Sequence, residues 1–173
     1  MKGNVKWLTR AAILLAVALS VQSLRLPQGI TGPTINAALL VGAVLLGPWG
    51  AAIIGFLTPL TAFLLGQLNP VLAPAIPFIM AGNGLLALLF GYGRRVNVYL
   101  AVVVAAGVKY LILAAAVRYI ISVPPQVSVA LQLPQLVTAL IGGLVALLAL
   151  EALAAARVVE RSQWPGLALR RRR

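Results

Sequence analysis

Long apolar runs recur along the whole chain, separated by short breaks that contain glycine, proline or arginine. A run of about 20 apolar residues can cross the hydrocarbon core of a bilayer as a helix. Lipid admits only segments whose backbone hydrogen bonds are satisfied internally. With 62% hydrophobic and 9% charged residues, the chain is predicted to be an all-α, multi-pass membrane protein. The 173 residues contain no linker-like tract, so we expect one integral membrane domain over 1–173.

The runs predict a bundle of six transmembrane helices. Their approximate limits are 7–24, 33–46, 49–65, 71–90, 98–121 and 133–156, followed by a basic tail at 157–173. A signal peptide is the alternative for the first run, because basic residues precede it and small residues lie near its end. Pro74 and Pro77 predict an irregular beginning to the fourth span.

The segment Leu26–Asn36, LPQGITGPTIN, is the least hydrophobic interruption in the first half of the chain. Its two prolines and two glycines predict that it is not a regular helix. The second span would then begin at Pro33 and reach only about 21 Å, which is too short to cross the membrane. We therefore expect non-helical chain at membrane depth, next to protein or a cavity.

The distribution of basic residues predicts the topology. Six spans place both termini on one side, and nearly all basic residues outside the spans fall on that side: Lys2, Lys6, Arg10, Arg94, Arg95, Arg157, Arg161 and Arg170–Arg173. Arg25 is alone in the opposite loops. The positive-inside rule then places both termini in the cytoplasm. Topology thus accounts for the net charge of +12, and we expect no nucleic-acid partner. An aromatic belt is predicted near the same face, from Trp7, Trp49, Tyr92, Tyr99 and Trp164.

The residues needed for most enzyme mechanisms are scarce. The chain has no cysteine and no histidine, and its acidic residues are Glu151 and Glu160. It contains no phosphate-binding loop, zinc-protease or serine-hydrolase motif. We therefore expect no enzymatic activity, no metal and no cofactor.

Lys109 lies near the middle of the fifth span. A lysine at that depth costs about 2.5–3.5 kcal/mol on insertion scales. It is expected either to pair with Glu151 or to line a polar cavity. Arg118 is predicted to point to the opposite face of the helix from Lys109, and its long side chain can reach the membrane–water interface.

Several amides accompany Lys109. Asn36 and Asn83 lie inside apolar spans, where they could bridge helices or bind a ligand. Gln22, Gln67 and Gln135 lie near the predicted outer ends of their spans. Together with Lys109 they outline an outward-facing cavity that favours an anionic or zwitterionic small molecule. The substrate-binding candidates are Asn36, Asn83, Lys109 and Gln135.

The chain resembles the substrate-binding S components of energy-coupling factor (ECF) vitamin transporters. The likeness lies in its length, its six spans with both ends inside, and the stretch TGPTINAALLVGAVLLGPWGAAIIGFLTPL from Thr31 to Leu60. Ala12 and Ala16 match the family's Ala-xxx-Ala motif on the first helix, which implies docking against a transmembrane coupling (T) subunit. The resemblance also implies two partner ATPase (A) subunits and a lid in the loop after helix one, here Gln28, Gly29, Ile30, Thr31 and Gly32.

The resemblance implies capture of a vitamin or related micronutrient from outside the cell membrane. A carboxylate vitamin such as pantothenate, biotin, nicotinate or a folate is compatible with Lys109, and a neutral ligand also stays open. Two other functions stay open as well: a self-sufficient small secondary transporter or channel, and a structural or assembly membrane protein without a ligand.

Overall fold

The computed structural model describes residues 2–160 and 162–164, and within them it consists of helices and connections without a β-strand. The helices in chain order are α1 (Lys2–Ser23), α2 (Gln28–Leu45), α3 (Pro48–Leu64), α4 (Ile76–Gly93), α5 (Val98–Ala115), α6 (Pro125–Ala130) and α7 (Leu133–Ala155). A 3₁₀ segment, Pro70–Ala75, leads into α4, and a π-helical turn, Ala116–Ile120, follows α5.

Five helical segments in the described part of the chain are long and apolar enough to cross a bilayer: Val5–Ser23, Gln28–Leu45, Pro70–Gly93, Val98–Ile120 and Pro125–Ala155. Helix α3 is also apolar but shorter, at 17 residues. The protein is therefore an all-α, multi-pass membrane protein.

Helix α2 begins earlier than the sequence predicts. It starts at Gln28 and has 18 residues, which gives about 27 Å at the helical rise. The prediction that 26–36 is non-helical, and that the second span starts at Pro33, is wrong. Pro33 lies inside the helix and removes one N–H donor. Threonine hydroxyls support the backbone nearby, since Thr34 donates to the carbonyl of Ile30 at 2.8 Å and Thr31 donates to that of Leu26 at 3.0 Å.

The glycines of this segment and of α7 serve close packing. A Cβ added at Gly32 would lie 2.9 Å from Cβ of Thr138 on α7. One added at Gly142 would lie 2.6 Å from Cβ of Asn36 and 2.7 Å from the carbonyl oxygen of Pro33. Small residues let transmembrane helices approach in this way. The backbones of α2 and α7 therefore approach each other closely near Asn36.

The main core lies between α2, α3, α4, α5 and α7, with α2 packed against both α7 and α3. Helix α2 is the most buried of the long apolar segments and α1 the least. A smaller apolar cluster forms where Ala75, Leu113 and Leu131 meet. Helix α1 rests on α2 and α3 at the periphery, so the first apolar run is an integral part of the bundle.

The end of the bundle at which α1 begins and α7 ends is tied together by side chains. Trp7 Nε1 donates to the carbonyl of Leu46 at 3.1 Å, and the Arg94 guanidinium donates to that of Gln163. Trp164 is 1% exposed, and its Nε1 donates to Oε1 of Glu151 at 3.1 Å. The prediction that Trp164 belongs to an interfacial belt is therefore wrong, because the chain at Gln163 and Trp164 packs against the bundle and the Trp164 ring is buried.

Candidate functional site

A buried polar pair occupies the interior of the bundle. Lys109, on α5, is 4% exposed, and Asn36, on α2, is 1% exposed. The Lys109 ammonium Nζ donates to Asn36 Oδ1 at 2.7 Å, the short distance expected of a charge-assisted hydrogen bond. Of the two arrangements predicted for Lys109, pairing with Glu151 is wrong: its hydrogen-bond partner is Asn36. Glu151 accepts from Trp164 at the other end of α7.

Two amide atoms beside this pair are buried without a hydrogen-bond partner: Asn36 Nδ2 and Asn83 Oδ1. Asn83 lies on α4 and is 3% exposed. A buried polar atom without a partner costs about 1–3 kcal/mol. Such atoms are uncommon and call for an explanation, and here each belongs to a residue that faces the same space.

That space is a cavity of about 120 Å³, which we call the Lys109 cavity. Its polar lining consists of Gln22, Gln28, Thr31, Asn36, Thr58, Asn83, Lys109 and Gln135. Its apolar lining consists of Gly32, Ile35, Pro59, Leu68, Leu72, Ile79 and Leu131. Lys109 is thus the charged group among the described residues of the lining.

Close helix packing places the three central side chains. Gly142 brings α7 against the Cβ of Asn36, and Gly55 on α3 lies against the backbone of Asn83. A Cβ added at Gly82 would lie 3.2 Å from Cγ of Lys109. Because α4 packs this closely against the aliphatic part of the Lys109 side chain, that side chain has little freedom to move. Its ammonium group therefore stays next to Asn36.

A second, wider cavity of about 490 Å³ adjoins the first. The two share Gln22, Gln28, Thr31 and Leu68. We call the wider one the Arg25 vestibule, because its lining includes Arg25, which has an unusual positive φ of 49°. Gln67, which also lines the vestibule, donates from Nε2 to Ser23 Oγ at 2.7 Å. The shared residues place the two cavities next to each other, between the Arg25 end of the bundle and Lys109.

The structure brings together the four residues predicted to bind substrate, since Asn36, Asn83, Lys109 and Gln135 all line the Lys109 cavity. Arg118 is exposed and lies away from it. Of the predicted lid, Gln28, Thr31 and Gly32 line the cavity, whereas Gly29 and Ile30 do not. All five are helical, so the description of this segment as a loop is wrong. Ala12 and Ala16 lie on the exposed side of α1.

The sequence did not single out Thr58. Its side chain is 1% exposed, and its hydroxyl donates to the carbonyl of Ile54 at 2.7 Å, which leaves the oxygen free to accept. The sequence did contain one indication of its role, because Thr58 is a hydroxyl residue next to Pro59 within an apolar helix. The aliphatic lining residues Leu68, Leu72 and Leu131 had no signal, because the sequence is rich in such residues throughout.

Comparison with known proteins identifies the family. No curated protein and no solved structure matches the chain significantly. A family model described as the substrate-specific component of ECF transporters matches residues 6–154, which covers all the residues placed around Lys109. The chain therefore belongs to the family of substrate-specific components of ECF transporters, which are substrate-binding transport proteins rather than enzymes.

Proposed function

We propose that this protein captures a vitamin or related micronutrient in the Lys109 cavity and delivers it to the cytoplasm as part of an ECF-type importer. A T subunit and two ATPase subunits would complete the importer. The observation that carries the proposal is the buried Lys109–Asn36 pair with its two unpartnered neighbours, Asn36 Nδ2 and Asn83 Oδ1. A ligand that forms hydrogen bonds with these two atoms would offset the free-energy cost of burying them without partners.

The positions of the charges support an outward-facing site. The basic residues predicted to be cytoplasmic include Arg94, which donates to the carbonyl of Gln163 at one end of the bundle. The Arg25 vestibule lies at the end where α1 gives way to α2. If the first end is cytoplasmic, as the positive-inside rule requires, the vestibule opens to the outside.

The proposed lid is the first part of α2. Gln28 and Thr31 line both the Lys109 cavity and the vestibule, so these residues stand between the bound ligand and the opening. The lid would move as the end of a helix, with the connection at 24–27 as its hinge. Removal of ligand contacts at Gln28 should therefore change release as well as affinity.

The exposed side of α1 is the proposed docking surface for the T subunit. Ala12 and Ala16 are exposed and one helical turn apart, which allows another helix to approach closely. Large side chains at these positions should block docking without touching the Lys109 cavity, because α1 contributes only Gln22 to its lining.

A thermal-shift screen with a vitamin library tests binding. We expect at least one compound to stabilise the purified protein and to lose its effect in Lys109→Gln. Arg118→Gln is the matched control, because Arg118 is an exposed basic residue in the turn that follows the same helix. A screen in which no compound stabilises the protein, or in which both variants respond like the wild type, would contradict the proposal.

Co-expression with a T subunit and two ATPases tests delivery. We expect copurification of the complex and ATP-dependent uptake in liposomes, both lost in Ala12→Trp/Ala16→Trp. Val104→Trp, at an exposed position on α5, should retain both. Uptake by the purified protein alone would instead support a self-sufficient carrier.

A further inference from the structure

We propose that the Lys109 cavity is built for a small organic monoanion, whose carboxylate contacts Lys109 and Asn36 and whose hydrogen-bond donor contacts Asn83. This inference rests on the proposed function and narrows it to a substrate class. Three observations support it: the positions of hydrogen-bond donors and acceptors around the cavity, the charge of the lining residues, and the cavity volume.

The first step concerns the orientation of Asn36. An ammonium group is only a donor, so the Asn36 atom that faces it must be the acceptor, Oδ1. The amide nitrogen Nδ2 is then turned away from Lys109, and it is the buried atom without a partner. Nζ of Lys109 has further N–H groups beyond the one it gives to Asn36. Two side chains in direct contact thus both offer donors to the cavity.

The second step concerns charge. Among the described residues that line the cavity, Lys109 is charged and none is acidic. A buried charge is stabilised when an opposite charge and hydrogen bonds compensate for its lost hydration. A ligand carboxylate supplies both, since it accepts hydrogen bonds at two oxygens. A single lysine compensates one negative charge, so a dianion would leave a charge buried and a cation would be repelled.

The third step concerns the other side of the cavity. Asn83 Oδ1 is a buried acceptor without a partner, and it lies on α4, whereas Asn36 lies on α2. A ligand that bridges the two needs a hydroxyl or N–H group away from its carboxylate. A site with a buried polar group rejects analogues that lack the matching group, because that group is then left unpaired.

The fourth step concerns size and the ligand body. The cavity of about 120 Å³ is somewhat smaller than an apolar cavity of about 150 Å³ that holds one benzene molecule. Drug-sized ligands occupy pockets of about 300–1,000 Å³. Between the polar groups the walls include Ile35, Pro59, Leu72 and Ile79, which suit an apolar ring or short chain. The part of the ligand that lies in the Lys109 cavity is therefore a single ring or a comparably short chain, and any larger portion would have to extend into the Arg25 vestibule.

The experiment uses a matched panel of one-ring and short-chain compounds on the purified full chain. It includes the hydroxybenzoate isomers, benzoate, the corresponding hydroxybenzamides, phthalate as a dianion and benzylamine as a cation, together with short hydroxy and amide monocarboxylates. Melting temperature and calorimetric Kd are measured for each compound. We expect monocarboxylates with a donor to bind best and the neutral carboxamides to bind at least about tenfold more weakly, a difference of ~1.4 kcal/mol.

Two variants assign the contacts. Asn83→Ala should remove the advantage of a hydroxybenzoate over benzoate, which we expect to be about tenfold, while benzoate itself binds as before. Lys109→Gln should remove the preference for carboxylate over carboxamide, and Arg118→Gln should keep it. Because these readouts compare ligands on one folded variant, a general loss of stability would not imitate them.

Several outcomes would overturn the inference. Equal binding of carboxylates and carboxamides, tighter binding of phthalate or benzylamine, or no response to any monocarboxylate by the folded protein would each do so. If the vitamin library instead gives a neutral or cationic ligand that requires Lys109, the substrate class is wrong and the capture function stands. If no ligand and no importer complex is found, both are wrong.

Discussion

Replacement of the buried polar pair by apolar residues should make the protein more stable and abolish ligand binding. The changes are Lys109→Met, which keeps an unbranched side chain of similar length, and Asn36→Ala, which removes the amide without adding bulk next to Gly142. Both residues are almost fully buried, and they share one hydrogen bond. The wild type, the two single variants and the double variant form a double-mutant cycle, which measures the interaction energy between Lys109 and Asn36.

The magnitude follows from the two contributions of the pair. Lys109→Met relieves the cost of a lysine at membrane depth, about 2.5–3.5 kcal/mol. It also leaves Asn36 Oδ1 buried without its donor, which costs about 1–3 kcal/mol. The single variant should therefore be only slightly more stable than the wild type. In the double variant no unpartnered amide is left at position 36, and we expect a gain of about 2–4 kcal/mol, as in other replacements of buried charges by apolar residues.

Intrinsic tryptophan fluorescence on heating is a suitable assay, because the chain has three tryptophans and no cysteine for a thiol-reactive dye. At about 2–4 °C per kcal/mol for a chain of this length, the double variant should melt on the order of 10 °C higher. Arg118→Met controls for loss of a basic residue at an exposed position and should melt within a few degrees of the wild type.

Two results would refute this reasoning. A double variant less stable than the wild type would show that the pair stabilises the bundle, as a structural bridge between α2 and α5 would. A double variant that still binds the ligand found by the thermal-shift screen would show that the cavity around Lys109 is not the binding site.

Three further predictions concern packing and access. Gly142→Ala should destabilise the protein by about 1–3 kcal/mol, because its Cβ would overlap α2; Gly107→Ala, with nothing within 4 Å, should not lower the melting temperature, and equal effects would contradict the packing argument. Trp164→Ala should cost about 3–5 kcal/mol in chemical or thermal unfolding, whereas Trp49→Ala, at 65% exposed, should cost little. A small effect at Trp164 would mean that burial of its ring does not stabilise the bundle. Arg25→Gln should slow association of an anionic ligand and weaken its dependence on salt in stopped-flow fluorescence, with dissociation unchanged; an altered dissociation rate alone would argue against a role for Arg25 in attracting the ligand.

Lys109 shows which parts of the site can be predicted from sequence. Its depth in an apolar run required a polar environment, and the same argument applied to Asn83. The partner of Lys109 could not be predicted, because the sequence does not say which way each helix is rotated about its axis. Separation along a helix gives depth, but it does not give the rotation that turns one side chain toward another.

The glycines of α2 show why the remainder could not be predicted. In the sequence Gly32 indicates a loop, whereas in the structure it makes room for Thr138, about a hundred residues later in the chain. A glycine that permits close packing looks the same in sequence as a glycine that permits a turn. Trp164 raises the same difficulty, since an aromatic residue near a membrane surface can lie in the interface or fold back into the core, and only the contact with Glu151 decides.

The contact between α2 and α7 has a mechanical consequence. Helices with interdigitated large side chains can slide only if those side chains first separate. In contrast, α2 packs against Gly142 of α7, and Gly32 of α2 packs against Thr138. Small residues at these contacts leave little bulk to obstruct a tilt of α2 relative to α7. Any such tilt would move Gln28 and Thr31, which line both cavities, together with Asn36, because all three belong to helix α2. If the Lys109 cavity holds the ligand as proposed, access to the cavity and contact with the ligand would change together, and a partner that pulls α2 would open the site and weaken binding in the same movement.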